Sequence, residues 1–235
     1  MLYIVATPIG NLEDLSPRAL RILKEVKVVY AEDTRRTLKL LTHFGVRVRV
    51  ERYKDRDPRG LGRILARLRA GEDVALASDS GMPVLSDPGL DLVSAARKEG
   101  LKVCVLPGPF AGAAAVAGSG LPGDSFVFLG FLPRSRGKQR KAIEAAAALG
   151  KSIVIYESPF RVKALLALAE EKLGPDAQSA VARELSKLHE EWLTGSVSEV
   201  RRKLDEKDTR GEYVVVLHPD SRRPNPRRPE GGATP

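Results

Sequence analysis

The sequence predicts an α/β protein of two domains, a mostly parallel sheet covered on both faces followed by a mixed α+β half. Three observations carry this prediction. Short aliphatic runs recur at 2–6, 27–31, 46–50, 73–77 and 101–106, and apolar on both sides they read as strands buried from two directions. A helical stretch fits between each run and the next, as parallel neighbours require. Downstream the alternation loosens, and two strands around 185–194 follow one another without a helix, as in a hairpin.

Each element has its own signal. Ser16-Pro17 opens the first helix with a side-chain cap and a proline at the first turn, where the missing N–H costs nothing. Residues 34–44 and 60–70 form the next two helices, and Asp87-Pro88 repeats the cap-plus-proline start of a fourth that stops at Gly100. The segment 107–123, rich in Gly, Ala and Pro, leads into an Ala-rich helix. The domain division is expected at its end, giving domains 1–120 and 121–218. In the second domain strands fall at 125–129, 152–156, 177–182, 189–194 and 212–217. Helices fall at 139–149, from Ser158-Pro159 to 173, and from Ser196, where Glu199 completes a capping box. Five Pro and four Arg in 219–235 read as a disordered basic tail.

Composition narrows the function. Apolar residues make up 43% of the 235 and aromatics only 5%, so the cores are aliphatic. A lone Cys104 excludes an internal disulfide, and His43, His189 and His218 stand too far apart in sequence for metal-ligand spacing, so no metal is expected. No apolar run reaches the roughly 18 residues of a membrane span, and residues 1–6 lack the marks of a signal peptide; a cytoplasmic protein without membrane partner is expected. The net charge is +9. Residues 47–69 hold a local +6, and Arg134, Arg136, Lys138, Arg140 and Lys141 follow one another without an acid, which points to a polyanion such as RNA.

Ligands in open α/β sheets bind beyond the carboxyl ends of the strands. Thr7-Pro8-Ile9-Gly10-Asn11-Leu12 follows the first strand and is neither a dinucleotide fingerprint nor a Walker A loop. Twelve residues from Ser78 to Gly89 follow the fourth strand, dense in hydroxyls, carboxylates, Gly and Pro. Most of them suit a ligand site, while Asp87, directly before Pro88, reads as a helix cap. Leu106-Pro107-Gly108-Pro109-Phe110-Ala111 follows the fifth. Three such loops at one sheet edge describe a pocket for a small organic ligand.

In this order the loops resemble the tetrapyrrole (corrin/porphyrin) methylases, a superfamily of S-adenosylmethionine enzymes. Within it they resemble the ribosomal RNA small subunit methyltransferase I family. The blocks that carry the likeness are Ala6-Thr7-Pro8-Ile9-Gly10-Asn11-Leu12, Ala31-Glu32-Asp33-Thr34-Arg35, Ser78-Asp79-Ser80-Gly81, Ser86-Asp87-Pro88-Gly89 and Pro107-Gly108-Pro109. Gly130-Phe131-Leu132-Pro133-Arg134, Tyr156-Glu157-Ser158-Pro159, Ala182-Arg183-Glu184-Leu185 with Lys187, and Arg210-Gly211-Glu212 continue it through the second domain. The resemblance implies 2′-O-methylation of a cytidine in the decoding region of 16S rRNA, on the 30S subunit. It also implies a homodimer with its ligand between the two domains.

Carried over by residue, the resemblance sets S-adenosylmethionine against Pro8, Ile9, Asp79, Met82, Phe110 and Ala111, with Tyr156, Ala182 and Gly211 around the adenine. A neutral ribose hydroxyl is a poor nucleophile and gains from a positioned base. Glu32 and Glu184 are the candidates for proton acceptor, and Arg35 with Lys187 for cations that orient the RNA. Each has a plainer role open to it: Glu32 and Asp33 can cap the following helix, and Arg183 and Glu184 can form an ion pair. Two other functions stay open at this level, a small-molecule methylase of the tetrapyrrole type and a non-catalytic RNA-binding protein.

Overall fold

A computed structural model describes residues 1–219, which divide into two compact units at Ala111/Gly112. The expected tail lies outside the described residues except for Pro219.

The first unit holds β1 (Leu2–Val5), α1 (Pro17–Glu25), β2 (Val28–Ala31), α2 (Thr34–His43), β3 (Arg49–Arg52), α3 (Pro58–Arg69), β4 (Val74–Ala77), α4 (Leu90–Lys98) and β5 (Val103–Leu106). All strand pairs are parallel, in the order β3-β2-β4-β1-β5. Successive side chains alternate faces. Leu2, Ile4, Val28, Tyr30, Val74 and Leu76 pack on one side against Ile64, Leu65 and Leu68 of α3 and Leu92 and Ala96 of α4. Val5, Val29, Ala75 and Ala77 pack on the other against Ala19, Ile22 and Leu23 of α1 and Leu41 of α2. This two-sided burial is why the strands read as unbroken apolar runs.

Several boundaries differ from expectation, four of them with a clear local cause. The third strand is Arg49–Arg52 rather than 46–50, because β3 is an edge strand with no need of an apolar run. Val46 instead closes α2, its N–H donating to the Leu41 carbonyl beyond Gly45 at φ +63°. Asp87-Pro88 does not start α4: the cap position is Gly89 at φ 137°, where a Cβ would lie 2.7 Å from Leu76 Cδ2. Ser158-Pro159 does not start the helix after β7 either. The Glu157 carboxylate takes the Ser158 N–H and the Arg161 guanidinium, holding a turn that delays the helix to Val162. The basic stretch is more helical than expected, with its helix running from Arg136 to Ala147.

The second unit contains α5 (Ala111–Ser119, from Gly112 on), β6 (Phe126–Phe131), α6 (Arg136–Ala147), β7 (Ser152–Glu157), α7 (Val162–Leu173), β8 (Gln178–Arg183), β9 (Glu191–Ser196), α8 (Val197–Asp205) and β10 (Tyr213–His218). The order is β6-β7-β10-β8-β9, with β6 parallel to β7 and every other pair antiparallel. β8 and β9 form the expected hairpin, and Ser196 with Glu199 forms the expected capping box. Ile153, Ile155, Val181, Val215 and Leu217 build one core with the apolar residues of α6, α7 and α8. On the opposite face α5 comes in close: Gly118 leaves no room for a Cβ, which would lie 2.7 Å from Trp192, and the Gly112 N–H donates to Tyr156 Oη at 2.9 Å.

Candidate active site

Parallel strands put the loops after β1, β2, β3, β4 and β5 at one sheet edge, and hydrogen bonds tie those loops together. β1 and β4 are neighbours, and beyond them Thr7 and Gly81 exchange both backbone hydrogen bonds, at 2.9 and 3.0 Å. Thr7 Oγ1 also donates to the Ser78 carbonyl at 3.0 Å. Gly81 sits at φ +83°, a left-handed backbone that a side chain would strain. A Cβ on Gly108 would lie 2.7 Å from the Ala6 Cβ, so only glycine lets the loop after β5 lie against the end of β1. The Asp33 N–H, after β2, donates to Asp79 Oδ1 at 3.1 Å. Asp55, after β3, accepts from Tyr53 Oη at 2.6 Å and from the Gly89 N–H.

The long loop is also strained. Val84 at φ 75° and Ser86 at φ 61° are left-handed without being glycine. For a β-branched residue this is a true outlier, worth of order 1–3 kcal/mol, of the kind that clusters at functional sites.

Electrostatically this edge is acidic. Glu32, Asp55 and Asp79 lie near enough to act on Asp87. Burial, then the Asp79, Glu32 and Asp55 charges, push the Asp87 carboxyl up to about 6 against the opposing effect of the Ser78 hydroxyl. The role of Asp87 is therefore not the helix cap that its place before Pro88 suggests. Glu32 is exposed, and its carboxylate has no hydrogen-bond partner among the described residues. Asp33 caps α2 through the Arg35 N–H and binds the Arg35 guanidinium, which together hold its carboxyl down near 2. Arg35 is thus neutralised locally, though largely exposed.

The expected donor residues fall into two groups, one in each unit. Pro8, Ile9, Asp79, Met82, Phe110 and Ala111 stand on the loops of the first sheet's carboxyl edge or at the start of α5, all half-buried, with Met82 leaning on the core. In the second unit Phe131, Tyr156, Val214, Ala182 and Trp192 are partners in register, so they form one row across all five strands. Tyr156 and Ala182 belong to it. The Tyr156 ring meets Phe128 and Phe131 edge-on, and burial raises its phenol to about 12. Gly211, at φ +98°, lies just ahead of β10; a Cβ there would be 2.7 Å from Glu184 Oε1.

Glu184 and Lys187 are a closed pair. Lys187 Nζ donates to Glu184 Oε1 and to Glu212 Oε2, both at 2.9 Å, and the Glu212 N–H donates to Glu184 Oε1 at 2.8 Å. Burial raises the Glu184 pKa, but Lys187 and the Glu212 N–H outweigh it and the net shift is downward. Arg183 pairs with Glu191 rather than with Glu184. A cavity of about 670 Å³ lined by Arg183, Glu184, His189 and Arg210 opens beside this cluster. Of the five basic residues before β7, Arg136 and Arg140 share Glu171, while Arg134, Lys138 and Lys141 have no acidic partner among the described residues. Tyr53, within the basic stretch 47–69, is buried and cannot stack on a base. No group of His, Cys, Asp and Glu among the described residues is arranged to hold a metal, and no helix among them is long and apolar enough to cross a membrane.

Two sheets, one parallel with loops gathered at its carboxyl edge and one mixed, define a methylase-type α/β fold. Residues 1–201 match the family model described as Tetrapyrrole (Corrin/Porphyrin) Methylases. The chain is 43% identical over 217 residues to "Ribosomal RNA small subunit methyltransferase I" of Thermotoga maritima, covering 92% of this chain and 97% of that protein. It is 41% identical to the protein of the same description from Halalkalibacterium halodurans, over 96% of this chain and 78% of that one. A crystal structure of diphthine synthase superposes with a TM-score of 0.73 at 16% identity, covering 92% of this chain and 89% of the other, a likeness of fold alone. The chain belongs to the tetrapyrrole methylase family and, within it, to the ribosomal RNA small subunit methyltransferase I family.

Proposed function

We propose that this protein transfers the methyl group of S-adenosylmethionine to the 2′-oxygen of a cytidine ribose in the decoding region of 16S rRNA, acting in the cytoplasm as a homodimer on the 30S subunit. The observation that carries the reading is the 43% identity along nearly the whole length of a protein described as an rRNA small subunit methyltransferase.

The chemistry of the loops supports the donor. S-adenosylmethionine supplies a sulfonium-bound methyl group and carries positive charge at its sulfur and its amino group. The Asp79 and Glu32 carboxylates disfavour the charge of Asp87 at the edge of the first sheet, an arrangement that a cationic ligand relieves. Pro8, Ile9, Asp79, Met82, Phe110 and Ala111 would hold the donor on the first unit. Tyr156, Ala182 and Gly211 would serve it on the second.

In the transfer the methyl carbon gains a bond to the ribose oxygen as its bond to sulfur breaks, and the hydroxyl proton passes to a carboxylate. Most of the acceleration comes from holding oxygen and methyl in line. Glu32 is the better proton acceptor, being without a donor of its own, whereas Glu184 already accepts from Lys187 and the Glu212 N–H. In this reading Arg35 and Lys187 orient the RNA, and Arg134, Arg136, Lys138, Arg140 and Lys141 bind its phosphates.

The test is transfer of labelled methyl from S-adenosylmethionine to unmethylated 30S subunits, with the product mapped by mass spectrometry of nuclease fragments. Label on one cytidine ribose is expected. Label on a nucleobase, or none, overturns the assignment.

A further inference from the structure

Several basic side chains in the first unit are neutralised where they stand. Arg49 pairs with Glu51, Arg67 with Glu51 and Glu72, Arg69 with Glu99, and Arg35 with Asp33. α2 carries, besides the paired Arg35, two cations that face a cavity. Thr37 and Leu41 turn one face of it into the core, while Arg36, Lys39 and His43, at i, i+3 and i+7, share another. Neither Arg36 nor Lys39 has an acidic partner among the described residues.

Those three side chains form one wall of a cavity of about 430 Å³, with Thr7, Ser78 and Asp79 opposite. The polar groups on that far side are already engaged: Thr7 Oγ1 donates to the Ser78 carbonyl, and Asp79 Oδ1 accepts the Asp33 N–H. Unmatched positive charge therefore lies on the α2 wall. Asp79 disfavours a dianion in so small a space, so a singly charged phosphodiester is the better match than a terminal phosphate. Pro8 and Asp79 line this cavity and also stand among the residues expected to hold the donor.

We propose that the α2 cavity binds a backbone phosphodiester of the RNA strand that carries the target nucleotide, with Arg36 and Lys39 as its positioning cations. The proposal rests on the rRNA reading above and adds a contact outside both basic stretches of the sequence.

The test compares Arg36→Gln/Lys39→Gln with wild type in binding to 30S subunits across a potassium chloride series. Donor affinity is measured by calorimetry alongside. Each lost phosphate contact should flatten the log–log salt slope by about 0.7–0.9, and affinity at low salt should fall roughly tenfold or more, with donor affinity unchanged. A control, Lys24→Gln/Lys98→Gln, removes the same charge from α1 and α4 and should bind more tightly than the α2 variant. If the double variant does not fold, each single variant should show its share of the slope change. An unchanged slope, or an equal loss in the control, overturns the phosphate site while methylation by wild type leaves the functional reading standing. Wild-type protein that neither binds nor methylates 30S subunits overturns that reading, and the cavity's assignment with it.

Discussion

Two groups of ionisable residues follow strands in this protein, and they are built in opposite ways. Around Glu184 the charges are matched: Lys187 bridges Glu184 and Glu212, and the Glu212 backbone N–H completes the set. Around Asp87 they are mismatched: burial first, then the charges of Asp79, Glu32 and Asp55, push its carboxyl up to about 6. A matched cluster stabilises the fold and has little left to give a ligand. A mismatched one is held in place by the surrounding structure and gains when a cation arrives.

Several experiments sharpen this contrast. The largest effect is expected from Glu32→Gln, which should lower the single-turnover methylation rate at saturating donor by about 10²-fold. A rate unchanged from wild type would assign the proton elsewhere. Next, Gly211→Ala should destabilise by about 1–3 kcal/mol, because the new Cβ meets the Glu184 carboxylate from a left-handed backbone. Urea unfolding at constant m reads this directly.

Glu184→Gln should cost about 1–2 kcal/mol at neutral pH by removing a charge-assisted contact with Lys187. The Glu184 pKa is lowered on folding, so its contribution is present above the ordinary glutamate value of 4.5 and fades as pH falls through the folded one. A penalty that persists undiminished at pH 3 contradicts the clamp. The smallest effect belongs to Asp87→Asn. Its carboxyl is raised on folding, so the folded state binds the extra proton between pH 3.8 and about 6, and the cost of the native residue grows through that window and is complete above it. Melting should rise by about 2 °C at pH 8 and not at all below pH 4.

Much of the fold is legible from the order of residues because a strand buried on two faces has little choice of composition. Leu2–Val5, Val28–Ala31 and Val74–Ala77 are such strands. β3 is not, since at the sheet edge Arg49 and Arg52 face solvent, and the apolar Val46 nearby draws the eye to the wrong residues. The loops that gather at the first sheet's edge are visible as clusters of Gly, Pro and Asp. What those clusters do is less visible, because it depends on ties across long stretches of chain. Asp55 receives the Gly89 N–H from 34 residues away, and Asp87 owes its raised pKa first to burial and then to Asp79 of its own loop and to Glu32 and Asp55 of two others. The Arg36, Lys39 and His43 face could have been read from its helical spacing. Its cavity could not, since Thr7 and Ser78 come from other strands.

The strand made last in the second unit is not at its margin. β10, at Tyr213–His218, is inserted between β7 and β8 and pairs with both. Until synthesis reaches it, a nascent chain carries two open strand edges with no partner for either, a template for pairing with another copy. Premature termination shortly before Tyr213 therefore removes the middle of a sheet rather than its end, and the shortened product is expected in inclusion bodies rather than as a smaller working unit.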